Sequence, residues 1–501
     1  MGHETLERFK AHIAKIQDFG SAQALMGWDM ETYMPHKASN ARARQVATLA
    51  TFTHEMQTSP ELGAMLSELS QASTFSSLSA DDQCLVQEVQ REYDRDRKIP
   101  SALIQELAET TGQAHTIWVE ARKKSDFSIF APILEKIVGL NQRMAEALGY
   151  EGSPYNALLD IYERDLNTSQ LDTLFANLKP SLVKLVEAMR QQPVDDHFLR
   201  SQNYDTDKQL AFSKLVLEDM GFDFDAGRID LAPHPFCSGT SLFDVRLTTR
   251  VFKNDPGSAL FSSMHECGHG LYEQGIDPKW DSTPICTGTS LGIHESQSRM
   301  WENLVGRSLA FWTHYYPKLQ SFFPEQLSSV SLDKFHRAIN RVQPSMIRVE
   351  ADEVTYNLHI VLRYELERDM IEGKLAVKDV PAAWNAKMES LLGITPANDS
   401  EGCLQDIHWS HGTFGYFPTY TLGNIYAAQI FNTAKKAVPE LENKIAAGDL
   451  LPLREWLRTE VHQYGKSLTP NQLIQKVTGE AMNAQYMVDY MNHKFMAVHA
   501  Q

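Results

Sequence analysis

The segment SSMHECGHGLYEQG holds two histidines four residues apart, His265 and His269, with a carboxylate, Glu266, directly after the first. On an α-helix of 3.6 residues per turn that spacing stacks both imidazoles on one face. Two nitrogens can then reach one ion at about 2 Å each, while Glu266 projects beside them toward a water that the ion activates. The flanking residues read as a bounded helix: Asp255 is a candidate N-cap, Pro256 sits at the first helical position, and Gly275 stands at the C-terminal stop. Leu260, Phe261, Met264 and Leu271 give that helix a buried side. The chemistry predicted is a hydrolytic zinc site that carries its own base.

A catalytic zinc takes three protein ligands and keeps one position open. The next ligand-bearing segment, GIHESQSRMWENL, offers His294 and Glu295, the latter 26 residues beyond His269. The Gly/Thr/Pro-rich turn between 275 and 292 leaves room for a second helix to pass back across the first. Neighbours on a helix point about 100° apart, so only one of the two can face the ion. Spacing leaves both open.

The elements that must position these groups come from a chain of 501 residues, 43% hydrophobic, with a net charge of −17. It can bury a large core, and the acidic balance disfavours nucleic acid and anionic membranes as partners. Five scattered cysteines without Cys-x-x-Cys spacing predict neither a disulfide framework nor a thiolate zinc site, which fits a reducing cytoplasm. At the N-terminus, Leu6, Phe9, Ile13 and Ile16 fall at helical spacing, an amphipathic helix rather than a signal peptide, and no transmembrane run is read.

Residues 1 to about 220 read as successive amphipathic helices broken at Gly20, Pro35, Pro60, Pro100, Gly149 and Pro193. No linker or repeat separates them from the rest, so the expectation is a single peptidase unit: a helical subdomain to about 220, a catalytic core over about 221–430 and C-terminal helices over about 431–501. Strand alternation shows in SLFDVRLTTRVF, with Phe243, Val245, Leu247 and Thr249 on one face. That strand reads either as a sheet edge that could pair with an extended peptide or as an ordinary hairpin. The stretch CLQDIHWSHGTFGYFPTYTLGN reads as aromatic-rich and irregular.

The strings HPF (234–236), DVRLT (244–248), HECGH (265–269), HESQ (294–297), IRVEAD (347–352) and GCLQDIHW (402–409) stand in one order. Together they resemble the motifs of the carboxypeptidase Taq family of metallopeptidases. Weaker similarity through GWDMETYMP, SPYNALLDIYE and TPNQLIQKVTGEAMN carries the resemblance over nearly the whole chain. It implies a mostly helical fold with a small antiparallel β-sheet, similar to neurolysin and angiotensin-converting enzyme, with a deep groove and usually a homodimer. It also implies a metallocarboxypeptidase of broad specificity, acting on peptides with zinc or cobalt. The runner-up readings are an oligopeptidase cutting internal bonds and a non-catalytic peptide-binding protein on the same fold.

Residue roles come from that resemblance. Glu295 is favoured as the third ligand, and Glu266 is the base. Arg348, in IRVEAD, would grip the substrate carboxylate with two parallel hydrogen bonds, its alternative being a structural pair with Glu350, Asp352 or Glu353. Arg246, Arg250 and Arg341 are next in line for that anchor. His408 and Tyr420, with Tyr416 in reserve, are the expected oxyanion donors. Asp244 and Arg246 are expected to touch substrate, to brace the strand or to orient a ligand imidazole.

Overall fold

Leu6, Phe9, Ile13 and Ile16 are all buried, and they pin down one side of a helix, Gly2–Thr32, that opens the computed structural model. Residues 2–499 are described. The helix runs through Gly20 without the expected break; an interior glycine costs only about 1 kcal/mol, which the buried turns before it offset. Prolines delimit the next two helices: Pro35 lies between this helix and Ser39–Gln57, and Pro60 opens the helix Pro60–Leu69 at its first position.

The N-terminal helices are tied to the rest of the chain at buried and part-buried polar points. Trp118 Nε1 donates to the Leu404 carbonyl at 3.0 Å, and Tyr155 Oη donates to Glu367 Oε2 at 2.7 Å. Lys466 Nζ sits 2.7 Å from both Glu88 and Glu92. Contacts therefore cross from the first 220 residues to both later stretches.

Three short strands, β1 (Gly227–Leu231), β2 (Cys237–Ser241) and β3 (Asp244–Thr249), form a sheet in the order β1-β3-β2. β3 runs parallel to β1 and antiparallel to β2, so the sheet is mixed rather than antiparallel. β3 is also central: Val245 pairs with Gly227 on one flank and Leu247 with Cys237 on the other. Its backbone is therefore not the free edge that the sequence allowed. Burial on both faces explains this, since Thr248 is as inaccessible as Val245 and Leu247. The helix Gly2–Thr32 packs against β2, where Ser21 Oγ donates to the Thr240 carbonyl at 2.7 Å. Among the described residues no helix is long and apolar enough to cross a membrane.

Candidate metal centre

β3 hands the chain directly to the first ligand helix, Pro256–Gly275. Asp255 caps it by accepting from the Gly257 amide at 3.1 Å, and Gly275 is its last residue. Ser263 Oγ donates to Thr249 Oγ1 at 3.1 Å, which fixes this helix against the sheet. The second ligand helix, Leu291–Arg299, starts at the Ser290 cap and continues as a π-helical turn, Met300–Val305. Its first turn is held by buried Glu163, whose Oε2 accepts from the Gly292 amide and whose Oε1 accepts from Tyr426 Oη, both at 3.0 Å. Burial lifts the Glu163 carboxyl to about 7.

Two glycines allow the helices to approach. A Cβ on Gly268 would stand 2.6 Å from the Gln297 carbonyl oxygen and from Ser298 Cα. On the other side, a Cβ on Gly423, in the helix Pro418–Ala437, would stand 2.4 Å from Glu295 Cγ. Glu295 is thus wedged between two backbones and pointed at the histidines.

His265, His269 and Glu295 present one ligand atom each, all within 4.8 Å of one another. Glu295 Oε2 lies 3.5 Å from His265 Nε2 and 3.4 Å from His269 Nε2. Ligands about 2 Å from a common tetrahedral ion stand about 3.3 Å apart, so the three fit a zinc-sized cation. Arg299 Nε occupies the other carboxylate oxygen, Oε1, at 2.7 Å, while Oε2 accepts from Ser298 Oγ at 3.1 Å and faces the two histidines.

The remaining ring nitrogens are also engaged. His265 Nδ1 lies 2.9 Å from Glu302 Oε2. His269 Nδ1 lies 2.6 Å from His294 Nδ1, and His294 Nε2 lies 2.6 Å from Glu273 Oε1. Were Nε2 of each ring to take an ion, Nδ1 would carry the proton. It would be donated to Glu302 in one case and to His294 in the other, and His294 would in turn donate from Nε2 to Glu273. His294 therefore stands behind His269, both of its nitrogens occupied, while Glu295 completes the cluster.

The electrostatics suit a cation. Burial pulls the His265 imidazole down, but the carboxylates of Glu295, Glu302 and Glu266 outweigh it and raise it to about 9. His269 falls to about 3 through burial and the nearby His294 and His265. Both rings face the Glu295 carboxylate, which lies between them. Burial works against the Glu295 charge, yet Arg299 and the two imidazoles hold its carboxyl well below the usual range. Glu266 behaves oppositely: burial, reinforced by Glu295 and Glu302, lifts it to about 7.

His265 and Glu266 open onto a groove of about 940 Å³ whose wall includes Arg250, Arg299, Arg348 and Tyr356. Arg348 begins a short 3₁₀ turn, Arg348–Glu350, and is 6% exposed. Its Nε donates to Asp406 at 2.9 Å and its Nη1 to Tyr356 Oη at 3.0 Å. The paired acid is thus none of Glu350, Asp352 and Glu353, the alternatives read from sequence. Asp406 also pairs with Arg363, so two guanidiniums share one carboxylate, and Arg348 Nη2 keeps no partner among the described residues.

Asp244 and Arg246 make their side-chain contacts with each other and with neighbours on the sheet side. They pair with each other at 2.8 Å, and the Arg246 guanidinium stacks 4.3 Å over Trp28 of the helix Gly2–Thr32. Their contacts are those of a brace, because each charge is already neutralised by the other. His408 Nε2 lies 3.3 Å from Tyr420 Oη, and Tyr416 packs 5.3 Å from the Tyr420 ring. The Arg348 guanidinium sits 5.1 Å over the Tyr420 ring. Tyr420 belongs to the helix Pro418–Ala437, so the stretch expected to be irregular becomes regular at Pro418, where proline suits a first helical turn. Burial raises both phenols, with a further push from the Glu295 carboxylate.

Sequence reasoning did not single out Arg299, Glu302, Glu273 or Tyr356. Arg299 and Glu302 lie four and seven residues beyond Glu295, a spacing that keeps all three on one helical face and could have marked them. Tyr356 carried no such signal.

Residues 8–495 match the family described as carboxypeptidase Taq (M32) metallopeptidase. The chain is 42% identical over 496 residues to carboxypeptidase 1 of Bacillus subtilis, covering 98% of each. It is 40% identical to thermostable carboxypeptidase 1 of Thermus thermophilus, covering 99% of each. The fold superposes on the crystal structure of the M32 carboxypeptidase from Deinococcus radiodurans with a TM-score of 0.96 at 40% identity, covering 99% of this chain and 100% of that one.

Proposed function

The chain belongs to the carboxypeptidase Taq (M32) metallopeptidase family, and from that premise we propose how its groove acts on a peptide. It is a metallocarboxypeptidase, a peptide hydrolase that releases amino acids from the C-terminus. The observation carrying the proposal is the convergence of His265 Nε2, His269 Nε2 and Glu295 Oε2 beside a groove that His265 and Glu266 line. Two imidazoles and one carboxylate suit zinc best, with cobalt as the alternative.

An ion held there supplies Lewis acidity to the attacking water and to the scissile carbonyl. Glu266, lifted toward neutrality, accepts the water's proton on its carboxylate and returns it to the leaving amide nitrogen. His408 and Tyr420 are the proposed oxyanion donors, with Tyr416 in reserve; what supports this is that His408 Nε2 lies 3.3 Å from Tyr420 Oη and that the Tyr420 ring lies 5.1 Å from the guanidinium of Arg348, which lines the groove. Arg348 is proposed to meet the substrate's terminal carboxylate with the nitrogen that Asp406 and Tyr356 leave open.

The same reading makes the chain a single peptidase unit of the neurolysin type, working in the cytoplasm as a homodimer; five free cysteines suit a reducing compartment. The test is to incubate a blocked dipeptide and its C-terminal amide with the enzyme, with and without chelator. Release of the last residue from the acid alone, lost on chelation and restored by zinc, is the expected result. Equal cleavage of the amide, or indifference to chelator, would overturn the reading.

A further inference from the structure

Arg250 is the first residue after β3 and reaches the groove wall near the start of the first ligand helix. Its guanidinium lies 5.1 Å over the Phe252 ring, and its Nε is fully buried without an acceptor. The other arginines on this wall each face a carboxylate. Arg200 and Arg341 meet Asp196, and Arg299 meets Glu295. Arg307 stands 3.7 Å from Glu302, and Arg348 stands 2.9 Å from Asp406. Among the described residues, Arg250 is the lining arginine with no anionic partner.

A guanidinium on the groove wall with no carboxylate beside it keeps its charge available for an anion that enters the groove. The established reaction brings one obligatory anion into this groove, the carboxylate at the end of the peptide. Arg348 alone meets it weakly, since its charge is shared with Asp406 and its Nε is occupied. A carboxylate has about four acceptor positions, enough for two guanidiniums.

We propose that Arg250 is the second anion-binding point of the groove and receives the terminal carboxylate together with Arg348. This rests on the carboxypeptidase reading and adds a specificity-determining residue to it. Phe252 keeps the guanidinium plane in place before substrate arrives, by the attraction of a cation to an aromatic face.

The experiment compares wild type, Arg250→Ala and Arg250→Lys. The readouts are KM and kcat for an N-blocked dipeptide, and the inhibition constant of the same dipeptide's C-terminal amide, which lacks the charge. Arg250→Ala is expected to raise KM for the acid by more than about tenfold, with bound zinc and amide affinity within about twofold of wild type. Arg250→Lys should recover part of the loss, because a point charge lacks the fork geometry. A loss shared equally by acid and amide, or no loss for the acid, would overturn the proposal. Wild type that releases no amino acid would instead defeat the carboxypeptidase reading itself, so the two failures are distinguishable.

Discussion

A single oxygen separates Glu266 from glutamine, and that difference isolates its work. Glu266→Gln is expected to lower kcat by at least about a hundredfold while zinc content, measured by metal analysis, stays at the wild-type level, since the amide keeps the shape but accepts no proton. At the ligand positions, Glu295→Ala should lose zinc and activity together. His294→Ala should keep the ligand set and weaken zinc affinity by about 10–100-fold, the usual effect of removing a group that orients a ligand ring. Equal zinc loss in both variants would count against the division of labour between these neighbours. The sequence made the clustering of His265, Glu266 and His269 legible because one helical turn defines their geometry, and it narrowed the third member of the cluster to two adjacent residues. It could not reveal the partner of Arg348, because Asp406 lies 58 residues further along and only the fold brings it there. The lack of a partner at Arg250 was hidden for the same reason.

Close contact between the ligand helices depends on Gly268, where an added methyl meets backbone on the facing helix rather than a side chain that could swing away. Gly268→Ala should therefore destabilise the protein by about 1–3 kcal/mol and reduce zinc affinity, read by denaturant melts and by chelator competition. The capping carboxylate Glu163 carries a pH signature. Its folded-state value is about 7, against an ordinary 4.5, so the folded protein holds the proton more tightly than the unfolded chain. Stability thus falls as pH rises from about 4.5 to 7 and levels off above, by up to about 3 kcal/mol. Glu163→Gln, whose amide can accept from Gly292 and donate to Tyr426, should flatten that slope in melts across the window. Pro256–Gly275 and the part of Gly2–Thr32 before Gly20 were legible from their apolar spacing, whereas the continuation through Gly20 was read as a break. β3 was legible as a strand through its alternation, but the GRIDL and CSGTS strands are too short and too polar to stand out from loop. The sheet's order and mixed pairing depend on those two, so neither could be read.

Buried ties from Trp118 and Tyr155 and a part-buried one from Lys466 join the N-terminal helices to both later parts of the chain. Melting should accordingly be one cooperative transition, and chelation should lower its midpoint by about 3–5 °C without splitting it. Two resolved transitions in calorimetry would show that the helical part folds apart from the catalytic core. At this scale the helix Gly2–Thr32 has a protective role as well as a structural one. By lying on β2 it covers a strand flank that would otherwise template a neighbouring chain. A polypeptide clipped or started beyond residue 32 would keep its ligands and base but bare that flank, and it would be lost first to aggregation, before any defect in catalysis could be measured.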